Sequence, residues 1–169
     1  MKEPDRDDDE VADLHAAQEG GTVPRFHERP LFPPPSAPLD VARKLYARHR
    51  AGELLTLVCW RGSWMQWQRT HWAELDTADL RSRVYDALGD VCYEVDVVSH
   101  GVTVTEMRPW NPDKRKVANV LEAMAAVGHL SADVDPPSWI ALHSAAKTPA
   151  AQMISCTNGL LDMTTRALV

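Results

Sequence analysis

The sequence predicts an α+β fold, with two or three β-hairpins packed with about three helices, preceded by a disordered acidic and proline-rich tail. Three observations lead to this expectation. Apolar residues recur at helical spacing in three segments, they alternate with polar residues on either side of short turns elsewhere, and acids and prolines crowd the N-terminal end.

Residues 1–38 hold the run Asp5, Asp7, Asp8, Asp9 and Glu10, the pair Gly20-Gly21, and seven of the twelve prolines, with Pro33-Pro34-Pro35 near the end. That composition buries too little apolar surface to offset the entropy of ordering it. Residues 1–38 therefore read as tail and linker, and residues 39–169 as the folded unit. From Met1 to Pro30 there are nine acids and four bases; the remainder has fifteen acids and fourteen bases, so it carries only −1 of the total charge of −6. A near-neutral domain lacks the strongly basic footprint of a general nucleic-acid binder, so any DNA contact has to come from a local patch.

The first folded segment, residues 40–50, sets Val41, Ala42, Leu45 and Tyr46 on one stripe, with Arg43, Lys44, Arg48 and Arg50 largely off it. Asp40 is the expected cap and Gly52 the expected stop. The basic face suits either a phosphate backbone or solvent. Residues 55–67 alternate across the turn Arg61-Gly62-Ser63, which predicts a hairpin. Four tryptophans, Trp60, Trp64, Trp67 and Trp72, fall within thirteen residues. Such rings serve as a stacking platform for single-stranded bases or as anchors of a small core, and Trp64 and Trp67 are the candidate stackers.

Asp76 opens a helix over residues 77–88, where Leu80, Val84 and Leu88 recur before Gly89. Val91, Tyr93, Val95 and Val97 then alternate with Cys92, Glu94, Asp96 and Val98, and Ser99-His100-Gly101 turns the chain into Val102–Thr105, a second hairpin. Pro109-Trp110-Asn111-Pro112 marks a boundary, with Asn111 as cap and Pro112 as first residue of a third helix. Val117, Val120, Leu121, Met124 and Val127 form its apolar stripe, and Gly128 ends it. Lys114, Arg115 and Lys116 sit in its first turn, where the helix dipole disfavours cations; an anionic partner or a solvated, internally paired cluster both answer that cost. Pro136-Pro137-Ser138-Trp139 reads as a rigid packing connector, and Asn158-Gly159 between apolar segments as a third hairpin. Core positions expected from these patterns are Leu45, Leu57, Trp64, Leu80, Val84, Val117, Leu121, Met124 and Trp139.

Catalytic and metal motifs do not emerge. Cys59, Cys92 and Cys156 are far apart and without paired Cys or His spacing, so they read as buried reduced thiols in a reducing compartment. No GxxxxGK[ST] phosphate loop occurs in the folded part. His49, His71 and His143 lack a nucleophile or carboxylate at a motif spacing, and His100 reads as a turn residue. Neither a signal-peptide pattern nor an apolar run of membrane-spanning length is present.

Four blocks together resemble a known family. Cys156–Val169 (CTNGLLDMTTRALV) is similar to the NG-[LV]-L-D-x-x-T-x-x-L segment that introduces the helicase half of phage and plasmid primase-helicases, the group that includes satellite-phage primases and the poxvirus primase-helicase. Pro109–Leu130, the element Pro136-Pro137-Ser138-Trp139, and the tryptophan-rich stretch Leu57–Trp67 resemble preceding parts of actinobacteriophage members. The likeness covers residues 39–169 and points to the amino-terminal accessory region of that group; the valine-rich hairpin stands where relatives carry a looser linker.

The resemblance implies an accessory, collar-like domain that positions single-stranded DNA or neighbouring subunits beside a hexameric superfamily 3 helicase, in the cytoplasm of a bacterial host. ATP and magnesium would belong to the missing helicase module, with no cofactor in this chain. The DNA-contact candidates are Arg43, Lys44, Arg48, Arg50, Lys114, Arg115 and Lys116, with Trp64 and Trp67. Expected partners are single-stranded DNA and a helicase module or helicase subunits, including copies of the chain itself, and no membrane. The rival reading is a stand-alone interaction protein that docks through an exposed strand edge or apolar end; a small independent enzyme is the third.

Overall fold

The structure, a computed structural model, describes residues 29–140 and 148–168. Among them are three α-helices and ten strands: α1 (Pro38–Tyr46), β1 (Arg50–Ala51), β2 (Leu54–Leu55), β3 (Leu57–Trp60), β4 (Ser63–Trp67), β5 (Trp72–Leu75), α2 (Thr77–Gly89), β6 (Cys92–Ser99), β7 (Val102–Pro109), α3 (Lys114–Val127), β8 (His129–Leu130), β9 (Met153–Cys156) and β10 (Gly159–Asp162). The fold is α+β. The expected hairpins are β3–β4, β6–β7 and β9–β10, each antiparallel.

Turn chemistry accounts for the first two. Arg61-Gly62 joins β3 to β4 and His100-Gly101 joins β6 to β7, and all four residues have positive φ. Two successive left-handed residues make the tight turn whose twist matches the flanking strands, and glycine supplies one of them without steric cost. In the third hairpin the loop is Thr157-Asn158, since Cys156 pairs with Gly159, so the Asn-Gly pair straddles the end of the turn.

One four-stranded sheet, ordered β5-β4-β3-β8, carries the helices on one face. Leu57, Trp64 and Leu75 point to that face, where they join Val41, Ala42, Leu45 and Tyr46 of α1, Leu80, Val84 and Leu88 of α2, and Val117, Val120, Leu121 and Met124 of α3 in one core. The largest fully buried side chain is Trp110, whose indole Nε1–H donates to the carbonyl of Pro33 at 3.0 Å. That bond corrects the tail boundary. Phe32 is buried, its N–H donates to Cys92 O at 2.8 Å, and Cys92 N–H donates to Pro30 O at 3.0 Å. Part of the proline-rich stretch is thus ordered by pairing beside β6; the acidic run at residues 5–10 lies outside the described residues.

Several local expectations are also corrected. Helix α1 begins on Pro38 and ends at Tyr46, short of residue 50, and Asp40 pairs with Arg43 at 3.1 Å instead of capping it. Pro38 fills the first-turn position where a missing N–H costs nothing. Gly52 turns β1 into β2 with φ of 64° and lies beyond the helix end. At α3 the cap is Asp113, whose carboxylate accepts from the Lys116 N–H at 2.9 Å, while Asn111 takes a left-handed φ of 49° and Pro112 stays outside the helix. Trp139 is 37% exposed and so is not core. Of the cysteines only Cys92 is buried; Cys59 and Cys156 are half-buried.

Gly128 has a specific reason to be glycine. A Cβ there would lie 1.9 Å from Tyr46 Oη and 2.7 Å from Cζ, and Tyr46 is itself fully buried with its hydroxyl donating to Met124 O at 3.1 Å. The ring has no free space into which to retreat. Gly128→Ala is expected to destabilise by about 1–3 kcal/mol through overpacking, and Tyr46→Phe by about 1 kcal/mol through loss of one hydrogen bond. On the Tyr46→Phe background, Gly128→Ala should cost less than in the native chain, because the nearest clashing atom is gone. Urea unfolding of the four proteins measures this cycle, and strict additivity would refute the close-contact explanation.

Candidate functional site

Strand alternation decides where the tryptophans go. Val58 pairs with Met65 and Trp67 pairs with Trp72, so these residues share the face of the sheet turned away from the helices, and Trp60 joins them two residues along from Val58. Trp64 is an odd number of positions from Trp67 on the same strand and faces the core, only 6% exposed. It is therefore not a base stacker. The Trp67 and Trp72 rings lie against each other, with centroids 5.5 Å apart and planes inclined at 51°.

This outer face forms the floor of a groove of about 560 Å³. Its other walls are Leu54 and Leu55 of β2, the connector from Val134 to Ile140, and Met153, Ser155 and Leu160 of the β9–β10 hairpin. Among the described residues, no Asp, Glu, Lys or Arg lines it, and His71 is its one titratable side chain. Three side chains, Arg61, Trp139 and Ser155, hold the walls. Arg61 stacks its guanidinium 4.5 Å above the Trp60 ring, donates to Ala132 O at 2.7 Å and pairs with Asp135. Trp139 Nε1–H donates to Thr148 O at 3.0 Å, and Ser155 Oγ–H donates to Thr70 O at 2.9 Å.

The cations expected to meet phosphate are not one cluster. Arg43 is paired with Asp40; Lys44 donates to Leu31 O and stands over the Phe32 ring; Lys116 donates to Asn111 O at 2.7 Å and stands over Trp110. These three are engaged within the chain. Arg48, Arg50, Lys114 and Arg115 are exposed and make no ion pair among the described residues. The dipole cost at the start of α3 is met internally: the Asp113 carboxylate, held below the usual carboxylate range first by the Lys116 N–H, supplies the negative charge. Beside Arg48, His49 is held below the ordinary histidine value by burial, and then by the nearby Arg83 and Arg48 charges.

The C-terminal block has its own chemistry, which the motif alone does not announce. Asp162 is buried, and its carboxylate accepts from Thr148 Oγ1 at 2.7 Å, Thr164 N at 2.8 Å and Thr165 N at 3.2 Å. Leu161 bridges Leu168 beyond the turn, and the Asp162 N–H donates to Ala167 O at 2.9 Å. The spacing L-D-x-x-T-x-x-L is thus a turn that braces itself around one carboxylate. The β9–β10 wall of the groove depends on it.

Among the described residues, no group of three or more His, Cys, Asp or Glu is placed to hold a metal ion, and no helix is long and apolar enough to cross a membrane. In comparisons with protein-family models, curated proteins and solved structures, nothing matches this chain.

The bonds to Asp162 set a pH dependence. The Thr148 hydroxyl, and after it the Thr165 and Thr164 N–H groups, pull its carboxyl below the ordinary aspartate value of 3.8 against the opposing effect of burial. A carboxylate depressed in the folded state stabilises fully above its unfolded value, and that contribution is lost as pH falls through the folded one. Asp162→Asn should therefore lower the thermal midpoint at neutral pH, and the gap to the native chain should close as pH drops below about 4, the ordinary carboxylate range. A gap that stays constant with pH would remove the ionised carboxylate from this account.

Proposed function

We propose that this chain is the accessory region of a phage-type primase-helicase, a docking domain that holds a neighbouring subunit or single-stranded DNA beside a helicase module. The observation that carries this reading is the position of the β9–β10 hairpin. It bears the block that resembles the segment introducing the helicase half, and it forms one wall of the tryptophan-floored groove. Whatever the groove holds is thereby held against the start of the following module.

The groove's uncharged lining favours a protein surface as its occupant over a phosphate backbone. DNA contact then falls to the four exposed cations, Arg48, Arg50, Lys114 and Arg115, on a domain with no general basic character. That arrangement corresponds to weak, non-specific affinity with a shallow salt slope, since the slope follows the number of phosphates neutralised. ATP and magnesium belong, on this reading, to the helicase module.

Fluorescence anisotropy with a labelled single-stranded oligonucleotide at low and moderate salt tests the DNA part. Binding should weaken as salt rises, and Lys114→Glu with Arg115→Glu should flatten the slope by about 1.4, about 0.7 for each single-strand phosphate that is no longer neutralised. Binding that ignores salt, or no binding at low salt, removes DNA from the function and leaves protein docking.

A further inference from the structure

The subunit-holding part of this function can be given a partner and a site. We infer that the tip of the β6–β7 ribbon of one copy inserts into the tryptophan-floored groove of a second copy of the same chain.

The ribbon is an unusual element for a small domain. β6 and β7 pair as strands only with each other, over eight positions each, so beyond the pairing of Pro30–Phe32 with Cys92 at the base their long edges lack a strand neighbour among the described residues. Alternation puts Tyr93, Val95, Val97, Val102 and Val104, with Glu106 and Arg108 near the base, on one face, and Glu94, Asp96, Thr103, Thr105 and Met107, with Val98 near the tip, on the other, so exposed valines flank the turn on both faces. Its charges, including the Glu106–Arg108 pair, lie toward the base, while the stretch Val97–Val104 has no Asp, Glu, Lys or Arg. At the tip Val98 is 72% and Val102 63% exposed. An isolated two-stranded ribbon is only marginally stable in water, so an apolar end of this kind gains from being covered.

The same chain offers the cover. The groove is concave, apolar and free of Asp, Glu, Lys and Arg among the described residues; the ribbon tip flanks its Ser99-His100-Gly101 turn with the exposed Val98, Val102 and Val104 and has no Asp, Glu, Lys or Arg either, so neither surface strands a carboxylate, ammonium or guanidinium when they meet. A phosphate backbone fits neither surface, because the groove has no cation and the ribbon's polar flank is acidic. Nor does the ribbon fill its own groove. Its base is pinned on the helix side by Trp110, Cys92 and Phe32, the groove opens on the opposite face of the sheet, and no ribbon residue lines it. Insertion is therefore between copies, and because tip and groove are different surfaces the contact is heterologous, the kind that propagates into a ring or a chain.

The geometry dictates a complementation test by sedimentation velocity on the full chain. The native protein should self-associate as concentration rises to the high-micromolar range. Val98→Asp/Val102→Asp at the tip, and Leu54→Asp/Ile140→Asp at the rim of the groove, should each weaken association by about tenfold or more, since a buried unpaired charge costs well over one decade of affinity. All four positions are at least 36% exposed, and unchanged circular dichroism checks that the variants fold. Mixing the two variants should then give a 1:1 heterodimer that does not grow further, because the mixture retains one intact tip and one intact groove. A native chain that stays monomeric throughout overturns the inference. So does association that survives either double variant, or a mixture that forms no heterodimer; these last two outcomes leave the broader subunit-holding function standing with a different contact. The inference rests on that function only for its partner class, and the anisotropy experiment above fails or succeeds separately from it.

Discussion

The seat of the Tyr46 ring on Gly128 holds the layers of this domain in register. At the end of α1 the tyrosine hydroxyl reaches across to Met124 O, one of the last carbonyls of α3, and the Gly128 N–H donates to the same oxygen at 2.9 Å. Two donors on one carbonyl close the helix end where left-handed geometry is absent, for Gly128 has φ of −94°. Its own carbonyl accepts from Cys59 N–H at 2.8 Å, which starts the parallel pairing of β8 with β3. Helix α1, helix α3 and the sheet thus meet within a few bonds of one residue that lacks a side chain. The glycine is there for close approach, a role distinct from the freedom of φ that glycine supplies at the hairpin turns.

Much of the fold was legible because its periodicities are local. The 3.6-residue stripes of α2 and α3 and the alternation of three hairpins are properties of short windows, and the turn residues reinforce them. What escaped was set by partners distant in sequence. Phe32 and Pro33 are ordered by Cys92 and Trp110, the latter 77 residues from Pro33, so composition alone assigned them to a tail. β8 is two residues long and exists only because Gly128 delivers it to β3. At α3 the expected cap Asn111 follows the buried Trp110 and takes a left-handed φ of 49°, and Asp113, two residues on, caps the helix instead.

The candidate site was half legible, and the missing half was available from parity. Trp64 and Trp67 stand three apart on one strand, so they had to face opposite ways, one to the helices and one outward. Trp67 therefore belongs with Trp60 and Trp72, and the part of that face that floors the groove carries no Asp, Glu, Lys or Arg, Glu74 lying outside it. The cations were identifiable as residues but not as free groups. Whether a lysine is spent on a carbonyl such as Leu31 O or Asn111 O depends on where the chain returns, and no window of sequence records that. The same holds for Asp162, whose carboxylate is committed to its own turn and to Thr148.

These assignments explain why a groove exists at all. A sheet apolar on both faces has to be covered on both, and here the helices, each with a continuous apolar stripe, cover only one. The other is covered by a proline-rich connector and a four-residue-armed hairpin, neither of which presents such a stripe. Elements of that kind brace themselves through Arg61, Trp139, Ser155 and Asp162 and cannot also spread over the floor they enclose. The ribbon repeats the imbalance in reverse, with apolar surface beyond what its own domain covers. If the inferred contact forms, a near-neutral folded part that leaves both a groove and a valine-flanked ribbon tip uncovered has its association energy in burial, and its charges can at most orient what approaches.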